Sequence, residues 1–381
     1  MPLSIGVRQR HSVEQEPDAA MHLLHIAGAR PNFPKLAPVH RAACGAAWQQ
    51  TIVHTGQHYD AALSDQFFQE LSIPHPDENL EVGSASHAVQ TARIMERLEP
   101  ILSARRPDWV LVYGDVNSTV AAALVASKLG IRLAHVEAGL RSYDRTMPEE
   151  INRLVTDRLA NLLLTPSRDA SETLRSEGEP EDEIEFVGNV MIDTLLHSLP
   201  TARATGFRDR IGAGPNSIVV TLHRPSNVDA PARLTRIAAA LRRLADAHTV
   251  LFPVHPRTQQ RLRDMGADLG RVQVLEPISY FAMLDLVQGA YAVVTDSGGL
   301  QEETTALGVP CFTVRANTER PVTITEGTNE LVPDPDQLVA RVESLRVQKR
   351  VGRVPEGWDG QASRRIVEAL AARGEANGQS D

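Results

Sequence analysis

The 381-residue chain is poor in several things, and each shortage excludes something. It has only two cysteines, Cys44 and Cys311, too few for a disulfide framework or, by themselves, a zinc site; reduced thiols in a cytosolic protein are the expected state. Aromatic residues make up 4% of the chain. No run approaches the ~18 apolar residues of a membrane span, so no membrane association is expected. Net charge is −9 and there is no long basic block, which argues against a nucleic-acid partner, since duplex binding needs a basic face. No tandem repeat or low-complexity tract is visible. Residues 1–20 carry charge without a long apolar core, so a secretory signal is not expected; they read as a disordered extension ahead of the first strand.

What the chain does have is a regular alternation. His22–Ala27, Thr51–His54, Trp109–Val112, Leu133–Val136 and Leu162–Thr165 are short apolar runs of buried-strand type. Between them, Lys35–Ala47, Ala85–Ala104, Ser118–Leu129 and Glu149–Ala160 show helical spacing. The pattern restarts with strand-like Ile218–Leu222, Thr249–Pro253, Val272–Leu275, Ala292–Thr295 and Cys311–Val314. Its helical partners are Ala232–Ala247, Phe281–Gln288, Leu300–Leu307 and Gln337–Arg346. Such alternation predicts an α/β fold of two doubly wound, Rossmann-like domains with parallel sheets, facing a cleft. The expected division is residues 21–190 and 191–358, with 359–381 forming a helix that returns to the first domain and then a flexible tail. Pro200–Asn216, rich in Ala, Gly and Arg, reads as the region around the linker.

In such sheets ligands bind beyond the carboxyl ends of the strands, and the chemically suggestive residues fall there. After the first strand come Gly28, Arg30 and Lys35; cations beside a helix N-terminus suit a diphosphate. Asp115 follows Trp109–Tyr113, where it is either a helix cap or an acid/base group. Glu137 follows Leu133–Val136; neighbouring strands would place it near Asp115, and two close carboxylates raise one another's proton affinity. In MPEEINR, Pro148 opens a helix whose acids favour its positive end, and Glu149 is spaced to pair with Arg153. Adjacent helical residues diverge by about 100°, so at most one of Glu149 and Glu150 enters the cleft directly.

In the second half, His223 and Arg224 follow a strand, and His255 with Arg257 repeats the arrangement; a histidine so placed is either a proton carrier or structural. The segment TDSGGLQEETTALGVP joins a strand to a helix through Ser297, Gly298 and Gly299, whose N–H groups can bind an anion. Glu303, one turn on, can take the hydroxyls of a ribose. Arg320 is a further candidate cation for phosphate.

The series GARPNF, TGQHYD, VYGDVNST, HVEAGLRS, MPEEINR, TLHRPSN, DSGGLQEE and NTERPVT, in this order, resembles the non-hydrolysing UDP-N-acetylglucosamine 2-epimerases from about Met21 to Val332. The resemblance implies a glycosyltransferase-B fold, a UDP-sugar substrate, no metal or redox cofactor, and a homodimer in the cytoplasm. It implies elimination of UDP to a 2-acetamidoglucal and re-addition after reprotonation on the opposite face. By the same resemblance Asp115, Glu137 and Glu149 are the acid/base residues, with His223 assisting. Arg30, Arg224, Ser297, Gly298 and Gly299 resemble diphosphate contacts, Glu303 holds ribose, and Phe281 packs on uracil or belongs to the core. Some relatives bind a second substrate molecule as an activator through a TGQHR-type loop; here Gln57 and His58 are followed by Tyr59 and Asp60, and the resemblance gives no support for that activation.

Overall fold

The computed structural model describes residues 21–57, 67–348 and 351–375; the expected extension, His58 to Asp60 and the end of the tail lie outside them. The first sheet comprises β1 (His22–Ala27), β2 (Gln49–His54), β3 (Glu78–Asn79), β4 (Trp109–Tyr113), β5 (Arg132–Val136), β6 (Leu162–Thr165) and β7 (Ile184–Phe186). Its spatial order is β3-β2-β1-β4-β5-β6-β7, with every pairing parallel. The second sheet comprises β8 (Ser217–Thr221), β9 (Thr249–Pro253), β10 (Gln273–Leu275), β11 (Ala292–Thr295), β12 (Cys311–Thr313) and β13 (Asn329–Leu331). It too is parallel, in the order β10-β9-β8-β11-β12-β13.

These strands are apolar without alternation because helices cover both faces of each sheet. One face of the first sheet packs Leu23, Trp109 and Leu111 against Leu36 and Val39 of the helix Phe33–Gly45. The other packs Leu24, Val110 and Val112 against Ile94, Leu98 and Ala122. The helix Ala362–Glu375 sends Ile366 and Leu370 into the first of these cores.

The two sheets share one topological feature that positions the site. Chain order reverses direction between β1 and β4 in the first sheet, and between β8 and β11 in the second. At such a switch point the loops leaving adjacent strands diverge to opposite faces and open a crevice at the carboxyl edge. The four loops concerned begin at Gly28, Gly114, Leu222 and Asp296.

Some elements differ from the sequence reading. The helix Val190–Ala204 runs through Pro200, where composition suggests the start of the linker region. The proline removes a bond to the carbonyl of Leu196, an exposed residue, so the loss falls where water can replace it. The polar helix Arg168–Glu177 and the three-residue edge strands β7 and β13 carry too little apolar pattern to be read. Among the described residues no helix is long and apolar enough to cross a membrane.

Candidate active site

Glu137 leaves β5 in a left-handed backbone conformation, φ 79°, sterically costly for a side chain and common where function fixes geometry. Its amide and that of Ala138 both donate to the carbonyl of Leu164, at 3.1 Å each. The carboxylate is 6% exposed. One oxygen accepts from Lys35 Nζ, and the other accepts from Arg320 Nη2 of the second lobe at 2.7 Å. Burial pushes this carboxyl up, but Lys35 and Arg320 outweigh burial and hold it below the ordinary carboxylate range. This corrects the expectation that neighbouring acids would raise it. Gly114 explains the fit: it has φ 65°, and a Cβ there would lie 2.6 Å from Lys35 Nζ and 3.1 Å from the Glu137 carboxylate.

Asp115 is brought close to Glu137 as the strand register requires, Tyr113 being paired with Val136. It does not cap the next helix; Val116 occupies that position without a side-chain cap bond. Its carboxylate is bound instead by Arg153 Nη1. Arg153 also holds Glu150 at 2.6 Å, so it pairs with i−3 rather than with Glu149 at i−4 as the spacing suggested. Glu150 accepts from the backbone N–H groups of Ser142 and Tyr143 at 2.9 and 2.8 Å, which fixes the preceding loop. Glu149 is left half-buried in the first helical turn, near enough to Arg224 to oppose, as a minor contribution, the effect of burial on that guanidinium.

In the second lobe, His223 is about half exposed, with Nδ1 3.1 Å from Asp296. Asp296 is fully buried and also accepts from the amides of His223 and Arg224 and from Asn227. Burial raises its carboxyl, but His223, Asn227 and the Arg224 amide together hold it below the usual range. A buried carboxylate on one ring nitrogen orients the other toward the cleft. Arg224 donates through Nε to the carbonyl of Asp296, at 3.0 Å.

Ser297 opens the helix Gly298–Leu307, and its side chain makes no cap bond to the first-turn N–H groups. Gly298 is required: a Cβ would lie 2.6 Å from Arg320 Nη1 and 3.0 Å from Glu319. The glycine turn therefore sits directly on the ion cluster that holds Glu137.

Arg320 is not a free phosphate cation, as its loop position had suggested. Its guanidinium faces Glu137, Glu302 at 2.9 Å and Glu319. Glu319 is further held by Arg315 at 2.7 Å; against the upward push of burial, these cations bring it well below the ordinary range. Burial pushes Glu302 up to about 6. Lys35 likewise spends its ammonium on Glu137. Arg30 stands at the first switch point, 5.8 Å from the ring centroid of Phe67.

His255 is exposed and caps the helix Pro256–Asp264, accepting from the Arg257 amide at 3.3 Å. Phe281 packs partly buried against the core around Ile192, Leu195 and Leu284. Glu303 is buried and bonded to Tyr280. Sequence reading assigns no site role to Arg153, Asp296, Glu302, Glu319 or Tyr280. Four of them lie within motifs that were singled out (MPEEINR, DSGGLQEE and NTERPVT), and their charge was the available signal.

Two Rossmann-type lobes whose switch points face one another, with a glycine-rich helix start on one and buried acids on the other, define a glycosyltransferase-B-like α/β architecture. A family model for UDP-N-acetylglucosamine 2-epimerase matches residues 42–371, and the chain belongs to that family. A UDP-N-acetylglucosamine 2-epimerase of Methanocaldococcus jannaschii is 40% identical, over 92% of this chain and 99% of its own. A UDP-2,3-diacetamido-2,3-dideoxy-D-glucuronate 2-epimerase of Pseudomonas aeruginosa is 41% identical with the same coverage. The crystal structure of the Methanocaldococcus jannaschii enzyme with UDP-GlcNAc and UDP superposes with a TM-score of 0.86, covering 92% of this chain and 100% of that one.

Proposed function

We propose that the chain interconverts UDP-N-acetylglucosamine and UDP-N-acetylmannosamine without net hydrolysis. UDP leaves C1 as the C2 proton is removed, 2-acetamidoglucal and UDP stay in the cleft, and UDP re-adds after C2 is reprotonated from the other face. The observation that carries this reading is the contact between Glu137 and Arg320, which places a dry carboxylate of one lobe against the glycine turn of the other.

The chemistry needs both halves. The C2 hydrogen is weakly acidic, so its base must be positioned and shielded from water. Glu137 is the best shielded of the three acids proposed for this role; Asp115 lies on the loop after β4, and Glu149 in the first turn of the helix Pro148–Leu159. Charge builds on the departing diphosphate, which the helix N-terminus at Ser297–Gly299 and the cations Arg30 and Arg224 stabilise. An arriving diphosphate also competes with Glu137 for Lys35 and Arg320. Less neutralised, Glu137 becomes the stronger base only when substrate is in place. His223, oriented by Asp296, is suited to carry a proton beside the diphosphate. A cytoplasmic homodimer is part of the same proposal and rests on family resemblance.

The Pseudomonas aeruginosa relative supplies the alternative, a 2-epimerase of a diacetamido uronate, because its identity to this chain matches that of the UDP-N-acetylglucosamine enzyme. Proton and phosphorus NMR of purified protein with each sugar nucleotide decides. The expected result is UDP-N-acetylmannosamine growing from UDP-N-acetylglucosamine, with no free sugar. Free N-acetylmannosamine with UDP would show a hydrolysing enzyme, and turnover confined to the uronate would reassign the substrate.

A further inference from the structure

Glu303 reaches its neighbours in a way the ribose role alone does not explain. It is 4% exposed, and its Oε1 accepts from the Tyr280 hydroxyl at 2.9 Å. Among the described residues no side chain bonds its Oε2. Tyr280 opens the helix Tyr280–Gln288, and its backbone N–H donates to Glu70 of the first lobe at 3.1 Å. Its ring lies 6.1 Å from that of Phe67, the side chain beneath Arg30. One tyrosine thus touches the acid proposed for ribose and, across the cleft, the segment that supports a cation proposed for the diphosphate.

We infer that Tyr280 is a positioning residue for the nucleotide: it fixes one oxygen of Glu303 so that the other meets the ribose hydroxyls, and the pair selects ribonucleotides over 2′-deoxyribonucleotides. The inference rests on the cleft being a UDP site. A carboxylate free to rotate would lose orientation at each binding event; one tethered by a hydroxyl is already set. The tether also acts on charge. Burial pushes the Glu303 carboxyl up to about 7, with the neighbouring Glu302 adding to the rise, while the Tyr280 hydroxyl opposes it by bonding the ionised form. Tyr280 comes from one packed helix and Glu302 from the helix of Glu303 itself. The helix Val190–Ala204, packed on both, adds no charge that acts on Glu303.

The sign follows. Removing the hydroxyl takes away a bond that favours the ionised acid, so Glu303 titrates at higher pH and is less ionised near neutrality. Calorimetry on the full chain, with UDP and 2′-deoxy-UDP from pH 6 to 9, tests this on wild type, Tyr280→Phe and Glu303→Gln. The proton of UDP itself is common to all three proteins and divides out of affinity ratios. Wild type is expected to prefer UDP. Tyr280→Phe is expected to match wild type near pH 9 and to bind about tenfold more weakly near pH 6, the effect of a one-unit displacement, with part of the ribose preference lost. Glu303→Gln is expected to lose that preference at every pH. If Tyr280→Phe keeps both the wild-type ratio across pH and the ribose preference, the role of Tyr280 is overturned while the UDP site stands. If wild type does not bind UDP, the reading of the cleft is overturned with it.

Discussion

Glu137→Gln is expected to slow epimerisation by about 10²–10⁴-fold, the usual cost of losing a general base, while UDP affinity changes by no more than severalfold. The two halves of this result separate roles. The amide is nearly isosteric and can still accept from Lys35 or Arg320, so the backbone at φ 79° and the cluster around it persist. What disappears is the capacity to take the C2 proton. The glycine turn at Ser297–Gly299 is untouched, so the anion site proposed there is kept. Initial rates by coupled assay, with UDP binding measured separately by calorimetry, check both parts. A parallel loss of binding and rate would mean that Glu137 shapes the site rather than acts in it.

Arg320→Met is expected to have the largest effect on stability. The guanidinium is shared by Glu137, Glu302 and Glu319, which are 6%, 1% and 3% exposed. Breaking a buried ion pair from one side typically costs about 3–5 kcal/mol, because the remaining charge stays desolvated. Glu137 keeps Lys35 and Glu319 keeps Arg315, whereas Glu302, among the described residues, keeps a side-chain bond from Asn189 and the more distant charge of Lys35 but no ion pair. Glu302 thus decides the pH dependence. Its folded-state value of about 6 already stands above that of an unfolded carboxyl, so its favourable contribution is present at low pH and lost as pH rises through 6. Without Arg320 the value climbs further. The variant's deficit in thermal midpoint should therefore be widest near pH 7–8 and narrow as pH falls toward 5. A deficit independent of pH would place the loss in packing rather than in charge.

The order of strands and helices was legible because parallel sheets covered on both faces need continuous apolar runs. Ala292–Thr295 and Leu162–Thr165 stand out for that reason. Edge strands such as Glu78–Asn79 and Asn329–Leu331 lacked the signal because they are short and polar. At the site, sequence located the groups but not their partners. Lys35 and Arg320 read as phosphate cations, yet they lie on Glu137: the winding of the first lobe brings Lys35 there, and the approach of the second lobe brings Arg320, neither of which spacing along the chain reveals. Spacing also points Arg153 to Glu149, but a helix offers both i−3 and i−4, and Arg153 holds Glu150 together with Asp115 of the loop after β4. His223 was legible as a strand-end histidine, but its orientation comes from Asp296, some seventy residues later.

Whether acids of one lobe act at C2 while the other lobe holds the diphosphate is read from proton exchange at that carbon. Wild-type protein and UDP-N-acetylglucosamine are incubated in D₂O and followed by proton NMR. The C2 proton signal is expected to disappear as UDP-N-acetylmannosamine forms, with deuterium at C2 of the product and far slower exchange by Glu137→Gln. Epimerisation with full retention of the C2 proton, or exchange undiminished in the variant, would contradict that role of the acids.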